Sequence, residues 1–453
     1  MERDIAHKLI AWRQRPQRKP LILRGARQVG KTYSLLAFGQ QHFPACHYVN
    51  FERDERLAAI FAADLNPVRI LRELSFYFER TINPKSDLLI FDEIQQCPQA
   101  LTSLKYFQEE LPQMALCAAG SLLGVELSSG SFPVGKVEFL NLFPLSLPEF
   151  LRGIGEERCH SFLMGLAAGE TIPEVIHIRL WALFKAYLAV GGLPEAVKAY
   201  GDRQDAPYAA FLTVRKVQSD LITTYVADMA KHSGKINSMH LERLWASIPG
   251  QLAREQDGSA AKFKFKEVIP GVRGYERLAN VIDWLEKAGL IIKVKIVSSG
   301  QLPFSAYARE NFFKLYCFDI GILGALGNLP VKTILDYDYG TYKGYVAENF
   351  VAQEFLCAGA EGLHSWQEAT SEVEFLREVG GYVIPVEVKS GWVTQAKSLK
   401  VFAQKYNPSF RVIMSGRGLL LDDKNRIHHY PLYLASRFPL STPGEPADPW
   451  SVV

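Results

Sequence analysis

The chain has 453 residues, enough for two or three domains, and its composition of 48% hydrophobic and 22% charged residues is that of an ordinary globular protein. Its 51 basic and 48 acidic residues leave a net charge of +3, so bulk charge neither demands nor excludes nucleic acid, and any such surface must be local. The sequence has no apolar run long enough to cross a membrane and no apolar signal core in its first residues, and its six scattered cysteines contain no CxxC pair; this argues against a membrane protein, a zinc site or a disulfide framework, and for the reduced thiols of a cytoplasmic protein.

Residues 1–150 read as an α/β unit. The apolar segments Leu21–Leu23, His47–Phe51, Leu88–Phe91 and Ala115–Ala119 alternate with helical stretches, which predicts a parallel sheet. Between the first of these strands and a following helix lies Gly25-Ala26-Arg27-Gln28-Val29-Gly30-Lys31-Thr32-Tyr33. Two glycines let such a loop wrap a phosphate with its N–H groups inward, and the helix starting near Lys31 adds its positive end. Lys31 would then reach the β- and γ-phosphates of a nucleotide, and the Thr32 hydroxyl would ligate Mg²⁺.

The run Leu88-Leu89-Ile90-Phe91-Asp92-Glu93 lacks polar alternation and predicts a central strand buried on both faces. Its terminal carboxylates fall where open α/β sheets bind ligands. Asp92 would hold the Mg²⁺ hydration shell, and Glu93 would orient the attacking water. Ser121, just past the strand Ala115–Ala119, either senses the γ-phosphate or is a strand-to-turn serine; local sequence slightly favours the turn.

Residues 151–234 read as a helical region, with Gly191-Gly192-Leu193-Pro194-Glu195 as a helix end, a break and a new start. Residues 235–330 predict a small winged-helix-like module. Its parts are an amphipathic helix over Tyr275–Ala288, a strand over Leu290–Val297, and an apolar return over Phe312–Phe318. Lys262, Lys264, Lys266, Lys293 and Lys295 could contact DNA phosphates there. Two features weigh the other way: the helix is net acidic, and lysines also protect exposed strand edges. Residues 331–453 predict a helix carrying Glu348, then a hairpin turning at Gly380-Gly381 that carries Glu374, Glu387 and Lys389. This is either a metal-dependent phosphodiesterase site or a hairpin with a solvated charged face. In the first case Glu374 and Glu387 would bind Mg²⁺ or Mn²⁺, Glu348 would be a further acidic ligand or the base, and Lys389 would steady the nucleophile or the transition-state charge.

Taken together, Gly25–Thr32, Asp92-Glu93-Ile94-Gln95, Ala119-Gly120-Ser121, Gly191–Glu195 and Glu387-Val388-Lys389-Ser390-Gly391 resemble, in order, the bacterial and archaeal AAA-type ATPases that carry a companion C-terminal domain of uncharacterised function. The resemblance implies a P-loop NTPase core of the additional-strand class, a winged-helix-like middle and a nuclease-like tail of the PD-(D/E)xK type. It implies ATP and Mg²⁺ as ligands, Ser121 as the sensor, and assembly into a homo-oligomer. It is compatible with DNA or a protein as partner. Two departures stand out. Lys136 occupies a position where many relatives have arginine, which leaves Lys136 and Arg152 as candidates for a finger. Glu374 stands where the nuclease-like pattern usually has aspartate.

Overall fold

The computed structural model describes residues 1–442 except 55, 122–132, 134, 204–205, 234, 254–261, 267, 273, 339, 341 and 393–394. They divide into two units, Met1–Phe143 with Lys287–Gly289, and Pro144–Glu286 with Leu290–Val453.

In the first unit the four expected runs become parallel strands, and a fifth that the sequence did not mark joins them: β1 (Leu21–Arg24), β2 (Cys46–Asn50), β3 (Leu88–Asp92), β4 (Ala115–Gly120) and β5 (Glu138–Asn141). Their order is β2-β3-β4-β1-β5. Strand β4 thus lies between the strand that leads into the glycine loop and the strand that ends in Asp92, as the additional-strand class requires. Every residue of β3 and β4 is buried, which is why these segments read as unbroken apolar runs. Phe51, Phe61 and Phe91 meet edge to face at 5.4–5.6 Å. Burying each such ring stabilises the unit by about 1.5–3 kcal/mol. This packing fixes β3 and therefore the position of the carboxylates at its end.

The second unit contains the helices Glu174–Val190, Pro194–Gly201, Pro207–Ser233 and Lys235–Ala253, followed by a mixed sheet. The strands are β6 (Ile291–Val297), β7 (Ala308–Cys317), β8 (Leu363–Glu368), β9 (Ser371–Val379), β10 (Tyr382–Val388), β11 (Arg411–Ser415), β12 (Leu420–Asp422) and β13 (Ile427–Pro431). Their order is β12-β13-β11-β10-β9-β8-β6-β7. The expected hairpin of β9 and β10 forms, with φ of +59° and +87° at Gly380 and Gly381. Both central residues of the turn are left-handed, which suits the twist of the flanking strands.

The segments expected as separate modules at 235–330 and 331–453 share this one sheet. β6 pairs with β7 on one side and runs parallel to β8 on the other. A hairpin pattern in sequence does not say which further strand will pair with it, and here β8 does. The Gly191-Gly192 break is a close backbone crossing. A Cβ on Gly192 would stand 2.2 Å from the Leu145 carbonyl oxygen. The buried Asp319 carboxylate accepts hydrogen bonds from the Gly192 N–H (2.7 Å) and the Ile322 N–H (3.0 Å).

Candidate nucleotide site and a second charged cluster

The glycine loop leaves β1 at Gly25, whose φ is +156°, and a Cβ there would lie 2.1 Å from the Leu142 carbonyl oxygen. Any other residue would force the loop off β5. Gln28 is left-handed at φ +65° despite its side chain, a conformation that costs roughly 1–2 kcal/mol and concentrates at functional sites. Gly30, at φ +95°, caps the helix Lys31–His42. The positive end of that helix therefore opens at the loop, where an anion is favoured. Val29 is buried, and its carbonyl accepts from the buried Arg3 guanidinium at 2.7 Å. A second Arg3 nitrogen donates to the Phe143 carbonyl at 2.8 Å. Arg3 thus pins the loop from a residue with no motif around it.

Lys31 is buried, and its ammonium donates to the carbonyls of Gly25 (3.0 Å) and Ala26 (2.8 Å). Burial pushes its pKa down to about 8, against the opposing pull of Glu93 and Asp92. The ammonium is therefore held at the loop with poor compensation, and phosphate oxygens would supply what it lacks. The Thr32 hydroxyl donates to Asp92 Oδ2 at 2.9 Å. Loop and strand end, 60 residues apart in sequence, are in direct contact. The same oxygen accepts from the Tyr48 hydroxyl at 2.7 Å, and Asn50 Nδ2 donates to that hydroxyl at 3.0 Å. Tyr48 and Asn50 are alternate residues on β2, beside β3. The polar alternation along Cys46–Asn50 is the sequence signal that could have found them.

Glu93 is left-handed at φ +49°, and its carboxylate accepts from Gln95 Nε2 at 2.5 Å. The Asp92 carboxylate accepts from the Glu93 N–H at 3.1 Å. Two strand-end acids thus sit in different settings: Asp92 is fixed by Thr32 and Tyr48, and Glu93 is steered by Gln95. Ser121 is buried and follows Gly120, which pairs with Arg24 at the end of β1. It therefore lies at the same carboxyl edge as the loop and Asp92. Arg27 pairs with Glu52 at 3.5 Å, and Tyr33 is exposed on the outer side of the helix. The glycine cradle, buried ammonium, helix end and Thr32–Asp92 pair fit a Mg²⁺-bound nucleoside triphosphate. Of the two finger candidates, Lys136 pairs with Glu109 at 3.0 Å, and Arg152 lies in the last turn of the helix Leu147–Gly153.

This geometry and sheet order define a P-loop core of the additional-strand class. Residues 17–151 match a family model described as an AAA domain. Residues 182–333 and 343–433 match models described as domains of unknown function, DUF8612 and DUF4143. No curated protein matches. Among solved structures, the chain is similar to the Aeropyrum pernix ORC1 protein in complex with DNA, with 16% identity over 73% of this chain and 92% of that one and a TM-score of 0.30. It is also similar to C. elegans PCH-2, with 10% identity over 43% and 60% and a TM-score of 0.28. A third is the Thermotoga maritima RuvB Holliday junction branch migration motor, with 16% identity over 65% and 90% and a TM-score of 0.27.

The second unit carries its own charged cluster. The β9–β10 pairing sets Val386 against Phe375, which places Glu387 and Glu374 opposite each other one step further on. Glu374 accepts from the Val388 N–H at 3.2 Å, and Glu387 Oε1 accepts from Lys389 Nζ at 2.6 Å. Burial, and then the neighbouring Glu387, holds the Glu374 carboxyl well above the usual range; burial also raises Glu387. Glu348, on the helix Tyr342–Cys357, accepts from the Tyr316 hydroxyl at 2.6 Å and from Lys314 Nζ at 3.4 Å. Lys314 also pairs with Glu372. The four residues expected from sequence are thus neighbours, and Lys314, Tyr316 and Glu372 join them unforeseen. Among the described residues, no three His, Cys, Asp or Glu side chains are grouped to hold an ion. The solvated charged face is not what forms either, because Glu348, Glu387 and Lys314 are buried.

The lysines expected as phosphate contacts separate into two groups. Lys293 lies on β6, inside the sheet, and its ammonium faces Asp283 (3.9 Å), Glu286 (3.6 Å) and the Phe313 ring. It neutralises the acidic face of the helix Tyr275–Lys287 and is not presented to a ligand. Lys262, Lys264 and Lys266 are exposed, as is Lys295 on β6, while Phe263 and Phe265, between the first three, pack on Phe313.

Proposed function

We propose that this protein is a Mg²⁺-dependent ATP hydrolase. The observation that carries the reading is the contact of Thr32 with Asp92 beside the buried Lys31. Gly25, Ala26, Arg27, Gln28, Val29, Gly30, Lys31, Thr32 and Tyr33 would form the nucleotide cradle, with backbone N–H groups and the helix end on the phosphates. Lys31 would balance the β- and γ-phosphate charge, and Thr32 and Asp92 would hold Mg²⁺. When bound, Mg²⁺ would supply charge neutralisation at the triphosphate. Glu93 would orient a water in line with the γ-phosphorus and accept its hydrogen bond, and Ser121 would report whether the γ-phosphate is present. Water oxygen bonds to phosphorus as the bond to ADP breaks, so positioning and electrostatics supply most of the acceleration. Six free thiols suit a reducing, cytoplasmic setting. Among the described residues, no helix is long and apolar enough to cross a membrane.

In this proposal nucleotide state is coupled to a C-terminal unit that engages DNA. The support is the exposed lysine row of 262, 264 and 266, held outward by the two buried-side phenylalanines. Homo-oligomers would bring Lys136 or Arg152 of one copy toward the nucleotide of another. The test is ATP turnover with and without duplex and single-stranded DNA at several salt concentrations. Stimulation that falls with salt, and is lost when the three lysines become glutamate, supports DNA as the partner. The alternative is a nucleotide switch that binds a protein partner and cuts nothing. It is favoured by the lysines that neutralise the Glu348–Glu374–Glu387 cluster. Plasmid nicking with Mg²⁺ or Mn²⁺ that is abolished by Lys389→Ala would defeat it.

A further inference from the structure

We propose that the Lys314 ammonium is a built-in cation for the carboxylate cluster of the second unit, standing where a divalent metal would otherwise be needed. The inference does not depend on the ATPase reading, because it concerns a different unit. Lys314 comes from β7, the edge strand, yet it reaches Glu372 on β9, three places away in the strand order. It also touches Glu348 on the overlying helix. Only a curled sheet allows that reach. The side chain is 3% exposed, so its charge is present for these acids and not for solvent. Such an ammonium survives burial only when paired carboxylates outweigh the desolvation cost.

The remaining acids are satisfied by similar means. Lys389 holds Glu387 Oε1, the Val388 N–H holds Glu374, and the Tyr316 hydroxyl holds Glu348. Four carboxyls therefore meet two ammoniums, a hydroxyl and a backbone N–H. Glu387 Oε2 is buried and has no hydrogen-bond partner among the described residues. It is the oxygen a small cation would be drawn to once the lysine charge is removed. A divalent ion prefers several oxygens free to surround it, and here each of the four carboxyls already has one oxygen held by a protein group that would have to yield. Two ammoniums thus offset two of the four carboxylate charges within the fold, and one of them comes from a side chain outside the hairpin that carries the acids.

The test uses the full chain with Mn²⁺ as the probe, read by EPR and by thermal unfolding. The Asp92→Asn background removes the first unit's own metal contact. In that background, the proposal expects no stoichiometric Mn²⁺ binding that depends on Glu374 or Glu387. It also expects an unfolding midpoint in millimolar Mn²⁺ within about a degree of that in EDTA. Lys314→Met should unfold at a lower temperature in EDTA and regain stability with Mn²⁺, and that gain should vanish when Glu387→Gln is added. A Mn²⁺ ion bound by the unsubstituted cluster and lost in Glu387→Gln would overturn the proposal. A folded Lys314→Met protein indifferent to Mn²⁺ would overturn it too. If Lys314→Met does not fold, the comparison of Glu374→Gln and Glu387→Gln in the Lys314 background still decides, since any cluster-dependent Mn²⁺ there contradicts it.

Discussion

The two units use the same chemical alphabet, lysine beside paired acidic residues, and arrange it to opposite ends. At the first site Lys31 leans on carbonyls, and Asp92 is oriented by neutral hydroxyls. No ammonium is hydrogen-bonded to Asp92 among the described residues, so charge of both signs stands unjoined beside a helix N-terminus. In the second cluster each lysine already holds a carboxylate. Opposite charges kept apart can be completed by a ligand, whereas opposite charges already joined are completed by the fold. The first arrangement suits catalysis and the second suits structure.

The largest effect that could break this contrast lies in the second unit. Lys314→Met leaves Glu348 and Glu372 without their ammonium, and removing one partner of a buried pair costs about 3–5 kcal/mol. Chemical denaturation in EDTA should show that loss; an unchanged midpoint would mean that Lys314 does not hold the cluster together. Next, Glu93→Gln should leave nucleotide affinity within about twofold while hydrolysis falls by roughly 10²–10³, the scale of losing one positioned polar group. Equal falls in binding and turnover would reassign Glu93 to the cradle.

A pH series sharpens the contrast further. Lys31 is held at about 8 in the protein by burial, and a triphosphate favours its charged form, so the bound pKa is higher. Nucleotide affinity should therefore be full below pH 8 and weaken above it, by up to about tenfold per unit. Titration calorimetry across pH 7–10 should show proton uptake on binding near pH 8–9, and a flat profile would contradict the assignment. The smallest effect is that of Tyr48→Phe, which removes one of the hydrogen bonds to Asp92. A loss of about 0.5–1.5 kcal/mol in Mg²⁺-dependent turnover is expected, with ATP affinity in EDTA unchanged.

The first unit was nearly all legible in the sequence because its logic is local. The loop, its lysine and the strand-end acids each lie within a few residues of the element that positions them. What escaped was the short strand Glu138–Asn141, whose four residues mix polar and apolar, and two contributions from a distance: Arg3 against Val29, and Tyr48 against Asp92. In the second unit the helix, the hairpin and the four expected charges were legible, but their meaning was not. Lys314 sits in the apolar segment Phe312–Phe318, 58 residues before Glu372, and nothing near it in sequence announces a partner. The same limit explains the wing that became part of a larger sheet. Alternation marks strands and their faces, but the choice of β8 as neighbour to β6 depends on long-range pairing that no local pattern encodes.

The central claim is that Lys31, Thr32, Asp92 and Glu93 act together on one Mg²⁺-bound triphosphate. The most direct measurement is steady-state phosphate release from ATP by the purified chain and by Lys31→Ala, each with Mg²⁺ and with EDTA. Turnover that requires both Mg²⁺ and the lysine, with the variant at background, is the expected result. A Lys31→Ala protein that hydrolyses ATP at the unsubstituted rate would contradict it.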